Sequence, residues 1–235
     1  AYFYISKLQY SNKNTIWKDQ LFSETILNKK SQKEQVNIYF ARANILHKEK
    51  NYKESAKYLK LANNLQLILR PSKINPLINK SKELLIESDT RDVNTKEDKQ
   101  YPQNIFIVGM PRSGSTLLES IISMNASVDD LGEVDILEEL FLEQKKNKKT
   151  NITLAKLYDQ KVNNHKDASN ITTNKCLYNY QYAGIISSQI PNAKIIHCYR
   201  NPLDNILSIY RANFDKGSNY SSSLVDCAKV YLDQE

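Results

Sequence analysis

Between residues 15 and 88 apolar side chains recur at helical spacing. In Val36-Asn-Ile-Tyr-Phe-Ala-Arg-Ala-Asn-Ile-Leu46, Tyr39, Ala43 and Leu46 fall on one helical face. A polar break, His47 to Asn51, precedes a second periodic run in which Tyr52, Ala56, Leu59 and Ala62 form the apolar stripe. Two antiparallel helices with small residues at Ala43 and Ala62 predict a close-packed helical hairpin. Trp17, Leu21, Ile26 and Leu27 predict a shorter helix before it, and another is expected from Pro76 to Glu87. Arg70-Pro71 and Asn75-Pro76 punctuate the region, because a residue before proline is pushed out of the α conformation. Residues 88 to 100, SDTRDVNTKEDKQ, have almost nothing to bury and read as a linker.

After Pro102 the pattern changes. Ile105-Phe-Ile-Val108 is a short, wholly apolar run, as expected of a strand covered on both faces of a parallel sheet. Lys194-Ile-Ile-His-Cys-Tyr199 is a second strand candidate, and residues 170–174 a third, shorter one. This alternation of strands with helical segments predicts an α/β fold, a parallel sheet flanked by helices, behind an all-α region. The boundary falls near residue 100, giving a helical region with linker over 1–100 and a sheet domain over 101–235.

The loop after the first strand carries the chemistry. Gly109-Met-Pro-Arg-Ser-Gly-Ser-Thr116 leads into the helical run Leu117 to Ile122. Strand, glycine-containing loop and helix together aim backbone N–H groups and the positive helix end at one anion. The spacing resembles a nucleotide phosphate loop, but Ser115 stands where a nucleoside-triphosphate enzyme places lysine. The cation, Arg112, lies inside the loop instead. At the end of the Lys194–Tyr199 run, Arg200 takes the position where open α/β sheets bind ligands, and Pro202 opens a helix that carries Ser208.

Composition adds a formal net charge of +7 over 235 residues, which suits an anionic partner without choosing among nucleotide, nucleic acid and acidic substrate. No base-reading or stacking motif supports nucleic acid. Three cysteines, Cys176, Cys198 and Cys227, show no metal spacing, and His47, His165 and His197 share no ligand pattern, so no metal is expected. Reduced thiols and the lack of a signal-peptide pattern lead to an expected cytoplasmic location, and no apolar run is long enough to span a bilayer. The chain lacks an initial Met and breaks off at Tyr231-Leu-Asp-Gln-Glu235, so it is read as a C-terminally truncated piece. The run Lys145 to Lys149 reads as a solvated loop.

Pro111-Arg-Ser-Gly-Ser-Thr116 resembles the 5′-phosphosulfate loop of sulfotransferases that use 3′-phosphoadenosine 5′-phosphosulfate, above all the tyrosylprotein and tetratricopeptide-repeat members. The helical hairpin resembles a tetratricopeptide unit, from which Arg42, Ser55 and a missing closing proline depart. The resemblance implies that Pro111, Arg112, Ser113, Gly114, Ser115 and Thr116 hold the phosphosulfate. It further implies that Arg200 and Ser208 hold the 3′-phosphate, that Lys175 contacts the phosphosulfate and that Glu133, in Gly132-Glu133, is the general base. Against the base role stands a solvated acidic face formed with Asp129, Asp130, Asp135, Glu138 and Glu139. The implied partners are this nucleotide cosubstrate and a hydroxyl acceptor on protein tyrosine, carbohydrate or a small molecule. Helical repeats bind peptides, dimerise or brace a domain, so a peptide partner and a homodimer both stay open. Two other readings compete: a repeat scaffold with a vestigial domain, and a phosphotransferase with this loop.

Overall fold

Four short strands form one parallel sheet: β1 (Gln103–Gly109), β2 (Val128–Asp130), β3 (Ile171–Asn174) and β4 (Lys194–Cys198); all but the acidic β2 are rich in β-branched or apolar residues. The order across the sheet is β2-β3-β1-β4. The computed structural model describes residues 2–7, 16–89, 103–146, 152–164, 171–214 and 217–235. Its helices are α1 (Tyr2–Ile5), α2 (Ile16–Phe22), α3 (Gln32–Lys48), α4 (Tyr52–Leu69), α5 (Asn75–Asp89), α6 (Ser115–Ile122), α7 (Ile136–Lys146), α8 (Leu154–Asn163), α9 (Ala183–Gln189), α10 (Pro202–Tyr210) and α11 (Leu224–Gln234).

The chain divides into two compact units, residues 1–74 with 206–230, and residues 75–205 with 231–235. This division differs from a cut near residue 100, because α5 packs on α9 and on the turn at Leu177–Tyr182. Of the expected linker, Ser88 and Asp89 close α5, and residues 90–100 lie outside the described residues.

In the helical unit, α3 and α4 pack as the expected hairpin, with Ala43 and Ala62 buried between them. The buried faces differ from the expected stripes. Helix α3 buries Val36, Phe40 and Ala43 in one cluster, and Ile38, Ala41 and Ile45 in another with Leu21 of α2. A helix covered on two sides shows no single stripe. On α4, Tyr52 and Ala56 face out, while Ser55, Leu59, Ala62, Asn63 and Gln66 face in. Polar positions are tolerated there because they are satisfied. Ser55 Oγ donates to Ala43 O at 2.8 Å, and Asn63 Nδ2 donates to Leu59 O and Tyr210 O at 3.0 Å each. The polar break is shorter than expected, since His47 and Lys48 belong to the last turn of α3.

In the sheet unit, Phe106 and Val108 of β1 are fully covered by α7, α8 and α9 through Leu137, Phe141, Tyr158 and Ile185. The apolar run of the sequence is therefore the central strand. Lys145 and Lys146 correct another expectation: they form the last turn of α7, where Lys145 Nζ meets Glu87 at 2.5 Å. A cation suits that end of the helix dipole. Positions 147–149, like His165, lie outside the described residues.

Candidate active site

Parallel register brings three strand ends to one edge of the sheet. Gly109 of β1 stands level with Cys198 of β4, and Phe106 is level with Asn174 of β3. The chain leaves β1 toward β3 and β2 on one side and returns to β4 on the other. The crevice at the carboxyl ends of β1 and β4 is thus the topological switch point of the sheet, where such folds bind ligands.

The loop after β1 is built around unusual backbone. Gly109 and Gly114 have φ of 138° and 105°, and Arg112, with φ of 70°, adopts the left-handed conformation that residues with a side chain avoid. A Cβ on Gly109 would stand 2.5 Å from Cys198 O, so the two strand ends approach as closely as only glycine allows. The segment after β4 then ties down the carbonyls of the loop. Asn205, fully buried, donates from Nδ2 to Pro111 O at 3.0 Å, and Arg200 Nη1 donates to Arg112 O at 3.1 Å. Tyr231 Oη in turn donates to Arg200 O at 2.9 Å. Ser113 N closes the loop on Met110 O at 3.3 Å; with the carbonyls of Pro111 and Arg112 held as well, the start of α6 is left to face a ligand.

Arg112, Ser113, Gly114, Ser115, Thr116 and Arg200 line one cavity of about 420 Å³. Ser113 Oγ is shut away from solvent and has no hydrogen-bond partner among the described residues. A hydroxyl held in this way fits an anionic ligand that accepts from it.

A second cluster lies around Lys175, directly after β3. The residue is 4% exposed, and its ammonium lies 2.5 Å from Glu133 Oε1 and 3.9 Å from Glu119 Oε2. The backbone positions this pair: Leu131 N donates to Thr173 O at 2.9 Å, and Lys175 N donates to Gly132 O at 2.8 Å. Gly132, with φ of 67°, makes the turn that offers Glu133. Asn174 locks the strand end, donating to Tyr158 Oη at 3.1 Å and accepting from Cys176 N at 2.9 Å. Burial pushes the Glu119 carboxyl above the ordinary carboxylate range, against the pull of Lys175. The Cys176 thiol is pushed up to about 12, by burial first and then by the adjacent Asp135 carboxylate.

Of the loop residues read from the sequence, Arg112 to Thr116 meet Arg200 at one cavity; Pro111 is not in its lining and is held instead through its carbonyl by Asn205, while Lys175 meets Glu133 in a separate cluster. Lys175 is buried and paired, not a solvent lysine. Ser208 sits half-buried in the last turn of α10, in the part of that helix assigned to the helical unit. Glu119 and Asn205 were missed. A glutamate inside the apolar run Leu117 to Ile122 was the one visible signal for Glu119, and nothing local marked Asn205.

Residues 102–232 match the family model described as Sulfotransferase domain. The chain belongs to the sulfotransferase domain family. A protein of Aquifex aeolicus (strain VF5), described as an uncharacterized protein, is 30% identical over 129 residues, which cover 47% of this chain and 17% of that protein. The chain therefore spans well under two thirds of that curated relative. No solved structure matches it. Within this sulfotransferase domain, the matched segment contains all four strands, the loop, Glu133, Lys175 and Arg200.

Proposed function

We propose that the domain transfers a sulfuryl group from 3′-phosphoadenosine 5′-phosphosulfate to an acceptor hydroxyl. The observation that carries this reading is the cavity that Arg112, inside a lysine-free loop after β1, shares with Arg200, which follows the adjacent strand β4. The residues suit the nucleotide: Ser113 Oγ lacks a partner, Ser115 and Thr116 add hydroxyls, and two guanidiniums suit two separate anionic groups. Arg200, with Ser208, is assigned to the 3′-phosphate, and residues 111–116 to the phosphosulfate.

The donor supplies an activated sulfuryl group: the acceptor oxygen bonds to sulfur as the bond from sulfur to the 5′-phosphate oxygen breaks, and adenosine 3′,5′-bisphosphate leaves with the electron pair. Glu133 takes the hydroxyl proton on its exposed carboxylate. Arg112, Lys175 and the loop N–H groups stabilise negative charge as it grows on the leaving phosphate oxygen. The helical hairpin is assigned as a tetratricopeptide-like unit that serves acceptor or partner binding. The acceptor classes are protein tyrosine, carbohydrate and small hydroxylated molecules.

Calorimetric titration of the intact protein with adenosine 3′,5′-bisphosphate, AMP and ATP–Mg²⁺ tests the reading. The bisphosphate is expected to bind about 10- to 100-fold tighter than AMP, the increment of charge-assisted bonds to one phosphate. Arg200→Ala is expected to abolish that preference. Equal binding of bisphosphate and AMP, with tight ATP–Mg²⁺ binding, would replace this reading with a phosphotransferase.

A further inference from the structure

Lys175 sits between two carboxylates of opposite character. The Glu133 side chain is 69% exposed and meets the ammonium from the solvent side. The Glu119 side chain is 8% exposed, and its Oε1 accepts from Thr173 Oγ1 at 3.2 Å, a hydroxyl that is itself fully buried. Glu119 also belongs to α6, one turn beyond Ser115, so the element that starts at the phosphate loop carries this carboxylate. A buried ammonium requires a counter-charge wherever its outer partner goes.

We propose that Glu119 is a positioning residue, the fixed counter-ion that holds Lys175 in place for sulfuryl transfer, and that Glu133 is its exchangeable partner. The catalytic half of this inference rests on the function proposed above; the pairing does not. An anion at the loop competes with Glu133 for Lys175. Once displaced, the Glu133 carboxylate is available to accept the hydroxyl proton. Glu119 stays behind, so the ammonium is never left without a partner. The base is thereby occupied until the donor arrives, and α6 links the anion loop to the cation that will serve it.

A double-mutant cycle of Glu119→Gln, Lys175→Met and the pair tests this on the intact protein. Thermal melting is read first, without nucleotide. Lys175→Met is expected to melt several degrees lower, and adding Glu119→Gln to recover much of that loss, since removing both partners leaves no orphan charge. Next, kcat of Glu119→Gln is expected to fall about 10- to 100-fold, with the dissociation constant of adenosine 3′,5′-bisphosphate within about twofold of wild type. In the Lys175→Met background, Glu119→Gln is expected to change kcat no further. Glu119→Asp, which keeps the charge, is expected to restore part of the rate. Additive melting losses would overturn the pairing whatever reaction the domain runs. Coupled melting with additive losses in kcat would overturn the positioning role and leave the transferase reading standing. Bisphosphate binding without selectivity over AMP would sink that reading and the catalytic half of the inference, while coupled melting would still uphold the pairing.

Discussion

Among the described residues, each unit buries one cation, and the two face different kinds of partner. Arg42 in the helical unit is 5% exposed; its Nε donates to Leu21 O at 2.8 Å and its Nη2 to Ser23 O at 2.9 Å. Its guanidinium carbon also lies 5.3 Å from the Tyr58 ring centroid. These partners are neutral, internal and permanent, and they tie the end of α2 to α3. Lys175 in the sheet unit is buried just as deeply, but it faces carboxylates, one of them largely exposed. A planar fork fits fixed carbonyls, whereas a compact ammonium on a flexible stem can change partners. Burial of a cation is therefore no sign of function by itself. What distinguishes the two is whether a partner can leave.

The comparison can be broken most directly at Lys175. Lys175→Met is expected to lower kcat by about 10²- to 10³-fold, as loss of one preorganised charge does elsewhere, in an assay of sulfuryl transfer. Arg42→Met should do the reverse. Leaving the buried Leu21 carbonyl unpaired, and Ser23 O with only its bond from Ile26 N, is expected to cost about 1–3 kcal/mol of stability, read by denaturant melts, with bisphosphate affinity unchanged. Comparable activity losses in both variants would erase the distinction.

The glycine-containing loop after β1 sharpens the contrast on a smaller scale. Gly109→Ala places a methyl against Cys198 O at a backbone angle that L residues avoid. A loss of about 1–3 kcal/mol is expected from that strain, visible in melting and in weaker bisphosphate binding together. Asn205→Leu keeps the branched shape and removes the bond to Pro111 O. Its expected signature is about tenfold weaker binding of bisphosphate and AMP alike, in contrast to Arg200→Ala, which removes the preference between them. A change in the preference for Asn205→Leu would show that it acts on the 3′-phosphate and not on the loop.

The smallest effect concerns pH. Burial raises Glu119, so the folded protein holds that proton more tightly than the unfolded chain. The stability this contributes is fully present below the ordinary glutamate value and is lost as pH rises through the raised one. Melts from about pH 4 to about pH 8 should show this shallow fall, and Glu119→Gln should flatten it.

Much of the candidate site was legible because its signals are local. The apolar run Ile105–Val108, the glycines and Arg112 that follow, and the Arg200-Asn-Pro202 junction each occupy a few consecutive residues whose backbone preferences do not depend on the rest of the fold. Arg42 and Ser55, which depart from the repeat pattern, proved to be hydrogen-bonding stitches, a role invisible until their acceptor carbonyls are placed. The buried stripes of α3 and α4 were misjudged for the same reason: periodicity shows that a helix has an inner face, while the number of neighbours decides which face that is.

By itself the sequence determined the helical hairpin, three of the four strands and the glycine-containing loop with its candidate anion-binding groups, since these follow from propensity, spacing and side-chain chemistry; the three-residue strand β2 gave no such signal. Tertiary structure alone decided the pairings. Thr173 meets Glu119 across 54 positions and Asn205 meets Pro111 across 94. Contacts at such separation arise only when parallel strands fix the register and the core sets the depth at which each charge is buried. Register and burial belong to the packed chain as a whole, and no local pattern encodes them.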